Sequence, residues 1–220
     1  MKNNFCRMFW LFCIYLAFIC CGYASDVEKP KIKAKKVEFR KAENKVIFTG
    51  DVVITRSSDV LYADSAVNDE KENIIDAWGN VRGYFTIEST TTSRIKAGRV
   101  RWELNTGIVK LVESPEIVYL GSTTGEITAK SDLLTLMDES REAYFNGNVF
   151  IYYGKSIAES NVARYFHNDK KFELLKDEKK MPFVKYSGEH KIDFKAEKID
   201  IFFDSKNMNL KKNVDCIIYQ

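Results

Sequence analysis

One pattern recurs six times along this chain and leaves it little choice of fold. An alanine is followed three and five places on by an apolar position, then by a charged or Asn-rich turn, then by a Gly-Asn-Val-like step about seventeen residues after the alanine. The copies begin at Ala34, Ala63, Ala97, Ala129, Ala158 and Ala196, at spacings of 29, 34, 32, 29 and 38 residues. The closing steps read Gly50-Asp51-Val52, Gly79-Asn80-Val81, Ser114-Pro115-Glu116-Ile117, Gly147-Asn148-Val149 and Lys212-Asn213-Val214. The fifth copy departs from the pattern: its turn is the charged run Lys176 to Lys180, followed by Met181-Pro182-Phe183.

Each copy reads as two strands joined by a turn. Val37 and Phe39 alternate with Glu38 and Arg40, Ala42 to Lys45 turns the chain, and Gly50-Asp51 marks a bulge or turn before Val52 and Ile54. Val100, Trp102 and Leu104 alternate with charged residues before the hairpin signal Asn105-Thr106-Gly107. Asn146-Gly147-Asn148 reads as a second hairpin signal of the same kind. Asp169 to Lys180 is charged and reads as a loop. No stretch sustains a 3.6-residue period, so crossover helices and parallel βαβ folds are excluded.

In a strand, residues i, i+2 and i+4 share a face. Val37/Phe39, Val52/Ile54, Val100/Trp102/Leu104, Ile117/Tyr119, Leu134/Leu136, Val149/Ile151/Tyr153, Ile201/Phe203 and Val214 then form one apolar interior. The opposite face is charged or polar. One sheet folded on itself, or two facing sheets, satisfies this. Asp132 and Asn161 fall where other copies have Val37, Val100 or Ile199, which puts them either at a rim or in a slipped register.

The first residues stand apart. Lys2 and Arg7 precede the apolar run Met8 to Cys21, and small residues flank a cleavage point after Ala24. This is the layout of a secretory signal over residues 1–24; the alternative is an uncleaved membrane anchor. Ser25 to Lys33 reads as a polar linker and 34–220 as one domain. Without residues 1–24 the 32 cations and 31 acids nearly balance (32 − 31 = +1), so bulk attraction to nucleic acid is absent. Four of the five cysteines leave with that segment. The remaining one, Cys216, has no partner for an internal disulfide and reads as a small buried apolar residue among Val214, Ile217 and Ile218.

The repeat resembles the OstA-like family: periplasmic lipopolysaccharide-transport proteins of the LptA and LptC type, and the amino-terminal domain of LptD. The closest stretch runs from Phe48-Thr49-Gly50-Asp51-Val52 through Leu61-Tyr62-Ala63-Asp64 to Asp76-Ala77-Trp78-Gly79-Asn80-Val81, and the likeness extends from Ala34 to about Ile218. It implies a twisted antiparallel β-jellyroll, all-β and open along one side, with an apolar groove that shelters acyl chains. On that reading Phe39, Ile54, Trp102, Tyr119, Leu136, Ile151, Tyr153 and Phe203 are the lipid-groove candidates, each of which is otherwise plain core. It also implies head-to-tail stacking by strand edges. The last segment, with Val214, Cys216, Ile217 and Ile218, is apolar and poorly protected as an edge. It either pairs with another jellyroll or closes its own sheet.

The residue inventory offers no chemistry. There is no Gly-rich phosphate loop, no Gly-x-Ser-x-Gly and no HExxH, and only His167 and His190 are available to a metal or to Cys216. No catalytic residue, cofactor or metal is expected. The expected function is a periplasmic bridge or carrier for lipopolysaccharide or a related acylated glycolipid. It would partner other jellyroll proteins of the pathway and copies of itself. Two alternatives stay open: a membrane-anchored LptC-type component, told apart by the fate of residues 1–24, and a structural or adhesive β-repeat protein with a solid interior.

Overall fold

The computed structural model describes residues 29–88, 91–121, 125–137 and 140–219. Residues 1–24, read as signal or anchor, and the first part of the linker lie outside them. Eighteen strands occur among the described residues. Six are long: β3 (Lys45–Arg56), β4 (Asp59–Asp69), β5 (Ile74–Glu88), β6 (Thr91–Glu103), β11 (Glu142–Tyr153) and β12 (Ser156–Phe166). The other twelve come as consecutive short pairs. These are β1 (Lys31–Lys33) with β2 (Lys36–Arg40), β7 (Ile108–Val112) with β8 (Glu116–Gly121), and β9 (Gly125–Lys130) with β10 (Leu133–Met137). Then follow β13 (Lys171–Leu175) with β14 (Phe183–Ser187), β15 (Lys191–Lys195) with β16 (Lys198–Phe202), and β17 (Asn207–Lys211) with β18 (Asp215–Tyr219).

The pairings show what each short pair is: a long strand interrupted at its middle. One sheet runs β2-β3-β4-β5-β6-β7-β10-β11-β12-β13-β16-β17. The facing sheet runs β1-β3-β4-β5-β6-β8-β9-β11-β12-β14-β15-β18. Every pairing is antiparallel. Twelve crossings, whole or interrupted, join the two sheets along one long corner, and the hairpins of both sheets lie on the opposite side. This is the all-β antiparallel jellyroll that the family resemblance implies, and its two facing sheets are what the alternation predicts.

Successive strands turn the corner in two different ways. In one kind a small residue sits at the bend and the inward face switches parity. Ile95 and Ala97 point inward before Gly98, Val100 and Trp102 after it. The small residues are Ala34, Ala63, Ala97, Ser131, Ser160 and Ala196. In the other kind two consecutive residues adopt positive φ: Gly50-Asp51, Gly79-Asn80, Glu113-Ser114, Gly147-Asn148 and Lys212-Asn213. The extra pair leaves parity unchanged, so Phe48 and Val52 both point inward. Within the long strands this second kind is a β-bulge, visible as register shifts at Thr49/Val52, Trp78/Val81 and Asn146/Val149.

The two kinds are clamped together. Asn80 Nδ2 donates to Asp64 Oδ2 at 2.8 Å, Asn148 to Asp132 at 2.9 Å, Asn161 to Asp177 at 3.0 Å and Asn213 to Glu197 at 2.7 Å. Lys35 Nζ meets Asp51 at 2.6 Å. All five pairs are 16 residues apart in sequence. Backbone bonds run beside them, with Lys35 N donating to Gly50 O, Gly98 N to Glu113 O, Asp132 N to Gly147 O and Glu197 N to Lys212 O. Replacing Asn148 by alanine removes one clamp and leaves a β-carbon residue at φ 45°. The expected loss is about 1 kcal/mol in urea denaturation, with m unchanged.

This frame corrects several expectations. The fourth and fifth copies start at Ser131 and Ser160, two residues after Ala129 and Ala158, because serine fills the small corner position as alanine does. Asp132 and Asn161 are therefore corner clamps; the slip was in the reading of the register. Asn146-Gly147-Asn148 is no hairpin: β11 runs through it, paired with β12 on both sides of the bulge. Within Asp169 to Lys180, Lys171 to Leu175 is a strand, with Phe172 and Leu174 buried, and the loop spans only 176–182. The linker ends earlier than expected, since β1 pairs with β3 from Lys31 onward.

Candidate functional site

The interior is one apolar cluster running the length of the jellyroll. It is not filled evenly. Two cavities open between the sheets, of about 380 Å³ and about 720 Å³. The smaller is walled by Phe85, Trp102, Ile117, Tyr119, Leu136 and Tyr165, with Asp59, Arg141, Glu142 and His167 also lining it. The larger lies toward the C-terminal end, among Ile151, Tyr153, Val184, Phe194, Phe203 and Met208, with Lys155 and Lys206 beside them.

Between them stands an aromatic partition. Tyr119 packs on Tyr165 at 4.4 Å between ring centroids, Tyr165 on Phe172 at 4.7 Å, Phe172 on Phe203 at 5.6 Å and Phe203 on Tyr153 at 5.0 Å. The first two rings belong to the smaller cavity and the last two to the larger. Phe172, fully buried, lines neither and separates them. Phe145 braces it from the side at 5.5 Å. Burial, with the Tyr165 hydroxyl beside it, pushes the Tyr119 phenol well above its ordinary pKa, so this ring stays neutral.

The smaller cavity joins an apolar interior to a charged margin. Arg56 lies over the Trp102 ring at 5.6 Å, a cation–π contact at the hairpin side. His167 is buried and meets the edge of Tyr165 at 6.1 Å. An apolar chain enters such a space at about 0.8 kcal/mol per methylene taken from water, while a polar head stays at the margin.

The eight groove candidates separate into four groups. Trp102, Tyr119 and Leu136 line the smaller cavity; Ile151, Tyr153 and Phe203 line the larger. Ile54 is closed in the core and touches neither cavity. Phe39 is 77% exposed and stands at the N-terminal end of the jellyroll, where no further strand among the described residues covers it. Val37 shares that position, so the continuous interior expected from the alternation opens at this end.

At the other end β18 pairs with β15 along one edge only. Val214, Ile217, Ile218 and Tyr219 are exposed there. Cys216 is exposed as well, which overturns its reading as a buried apolar residue: β18 is the outermost of the described strands, and all five of its residues are exposed. Among the described residues no His/Cys/Asp/Glu group has the makings of a metal site.

Sequence reasoning missed Ser93, Tyr165, Phe172, Phe194 and Met208. The signal for Phe172 lay in the alternation Lys171-Phe172-Glu173-Leu174, masked by the charges around it. Ser93 was hidden by the parity switch at Gly98, which separates it from the phase of Val100 and Trp102.

Residues 31–130 match the family described as LptA/(LptD N-terminal domain) LPS transport protein. The fold is similar to the crystal structure of LptH, the LptA homologous periplasmic component of the conserved lipopolysaccharide transport device from Pseudomonas aeruginosa. The TM-score is 0.53 at 10% identity, over 58% of this chain and 96% of that one. No curated protein sequence matches. The matched family is described as one of LPS transport proteins, and it is over residues 31–130, a little under half of the chain, that this sequence is similar to it.

Proposed function

We propose that this protein carries lipopolysaccharide, or a related acylated glycolipid, across the periplasm as one segment of a bridge between the inner and outer membranes. The observation that supports this most is the unfilled apolar interior: two cavities between the facing sheets of the jellyroll. A structural β-repeat protein would gain stability from closing that space, since empty volume forfeits dispersion contacts. Apolar cavities with charged residues beside them fit acyl chains below a polar head.

The bridge reading rests on the two ends. Inward-facing apolar residues are exposed at both, Val37 and Phe39 at one and Ile218 at the other, and among the described residues the outer edges of β1, β2, β17 and β18 have no strand beside them. Strand addition covers both features at once. The partners are then further copies of this chain or other jellyrolls of the transport pathway.

Native mass spectrometry of residues 25–220 purified from the envelope, with lipid extraction of the same sample, tests the carrier reading. A bound multi-acyl glycolipid supports it. An empty protein that takes up no added glycolipid rejects it. Edge pairing is tested separately: self-association should rise with concentration, and both Ile217→Pro and Ile218→Lys should leave monomers by sedimentation. Unchanged association in both variants would sink it.

A further inference from the structure

Among the described residues three serines are buried, and two have an evident structural task. Ser131 and Ser160 occupy corner positions, and each donates its hydroxyl to the carbonyl two residues on, Leu133 O and Val162 O, both at 3.0 Å. Ser93 is different. It lies on β6 away from the corner, paired with Phe85 on one side and Tyr119 on the other. It is 0% exposed, it lines the smaller cavity, and its Oγ has no hydrogen-bond partner among the described residues.

A hydroxyl without a partner in an apolar wall has lost its water hydrogen bonds and gained nothing for them. Alanine would fit the same position without that penalty, and alanine is what this fold uses at the inward positions Ala77, Ala129, Ala143 and Ala163. The hydroxyl therefore makes sense only with something in the cavity to receive it. Its strand neighbours Phe85 and Tyr119 are aromatic, and the charged lining, Asp59, Arg141 and Glu142, forms the margin, so an occupant that reaches Ser93 is largely apolar and brings one oxygen of its own.

We propose that Ser93 is a specificity residue: it hydrogen-bonds an oxygen carried on an acyl chain, a hydroxyl or an ester or amide carbonyl, and so makes the smaller cavity prefer oxygenated chains to plain ones. This rests on the carrier reading above and adds a chemical requirement to it. The larger cavity carries no such requirement, since it contains no buried unpartnered hydroxyl among its described lining.

The test uses the full chain with Trp10→Phe and Trp78→Phe, so that emission from Trp102 reports the smaller cavity alone. The probes are tetradecanoate, 3-hydroxytetradecanoate and 10-hydroxytetradecanoate, titrated against this protein and against the same protein with Ser93→Ala. At least one hydroxylated chain should bind about tenfold tighter than the plain one, and Ser93→Ala should abolish that preference while binding tetradecanoate undiminished. Thermal unfolding of the empty Ser93→Ala protein should occur no lower than in the parent, because an unpartnered hydroxyl has been removed. If all three chains bind alike, or the preference survives in Ser93→Ala, the Ser93 role is wrong and the carrier reading stands. If none binds either protein, the carrier reading fails and this inference with it.

Discussion

Replacing Phe172 by alanine should destabilise the protein by about 3–5 kcal/mol, the range for a large buried aromatic whose site cannot collapse. The ring is fully buried and in contact with four others, Tyr119, Phe145, Tyr165 and Phe203. Its neighbours are held by sheet hydrogen bonds on both sides, so little relaxation is available. β13 pairs with β12 and β16 through all five of its residues. The same substitution removes the ring that divides the interior, so the two cavities should become one. Equilibrium denaturation measures the first effect, and uptake of an acyl chain too long for either cavity measures the second. A loss below about 1 kcal/mol would mean that the partition is mobile rather than packed.

Gly79→Val should cost about 3 kcal/mol or more, among the larger values a single substitution produces. Two causes add. Gly79 has φ +78°, where a β-branched side chain is strained. A β-carbon there would also lie 2.8 Å from Asp64 Cβ and 2.6 Å from Asp64 Oδ2, which displaces the carboxylate that accepts the Asn80 hydrogen bond. Gly154 separates the two causes, since its φ is +55° but nothing lies within 4 Å of an added β-carbon. Gly154→Ala should therefore cost only the conformational strain, about 1 kcal/mol. Gly79→Ala should cost clearly more. Equal losses in urea denaturation would show that crowding at the corner contributes nothing.

The polar outer faces contribute less. Lys198 meets Glu173 at 2.7 Å and Lys211 meets Asp200 at 2.7 Å, while other ion pairs, such as Lys35–Asp51 and Arg94–Glu126, join two exposed side chains. Exposed pairs of this kind are screened by water and contribute little. Stability here resides in the inward rows and in the corner.

The period-2 alternation was legible because it is local: neighbours in sequence decide which face is apolar, whatever the strand later pairs with. The same holds for the Gly-Asn and Gly-Asp steps, whose positive φ only a few residue types accept. Those two signals carry the fold class, the strand content and the family likeness. Six of the eight groove candidates named from the resemblance lie on the walls of the two cavities.

What they do not carry is the partner of each strand. Gly147-Asn148 has the chemistry of a hairpin and of a bulge alike; pairing with β12 on both sides makes it a bulge. The corner accepts serine as readily as alanine, so the frame of the fourth and fifth copies emerges only from the 16-residue clamps across neighbouring strands. Val37, Phe39, Val214 and Cys216 have the inward pattern of core residues and are exposed, because burial depends on a strand beyond the edge and the described residues supply none at either end. Sequence alone determined the alternation, the bends and hence an apolar interior. Only the tertiary structure decided where that interior stays empty, because a cavity depends on residues far apart in sequence, as Ser93, Tyr119 and Tyr165 are, and on the ring of Phe172 that stands beside them.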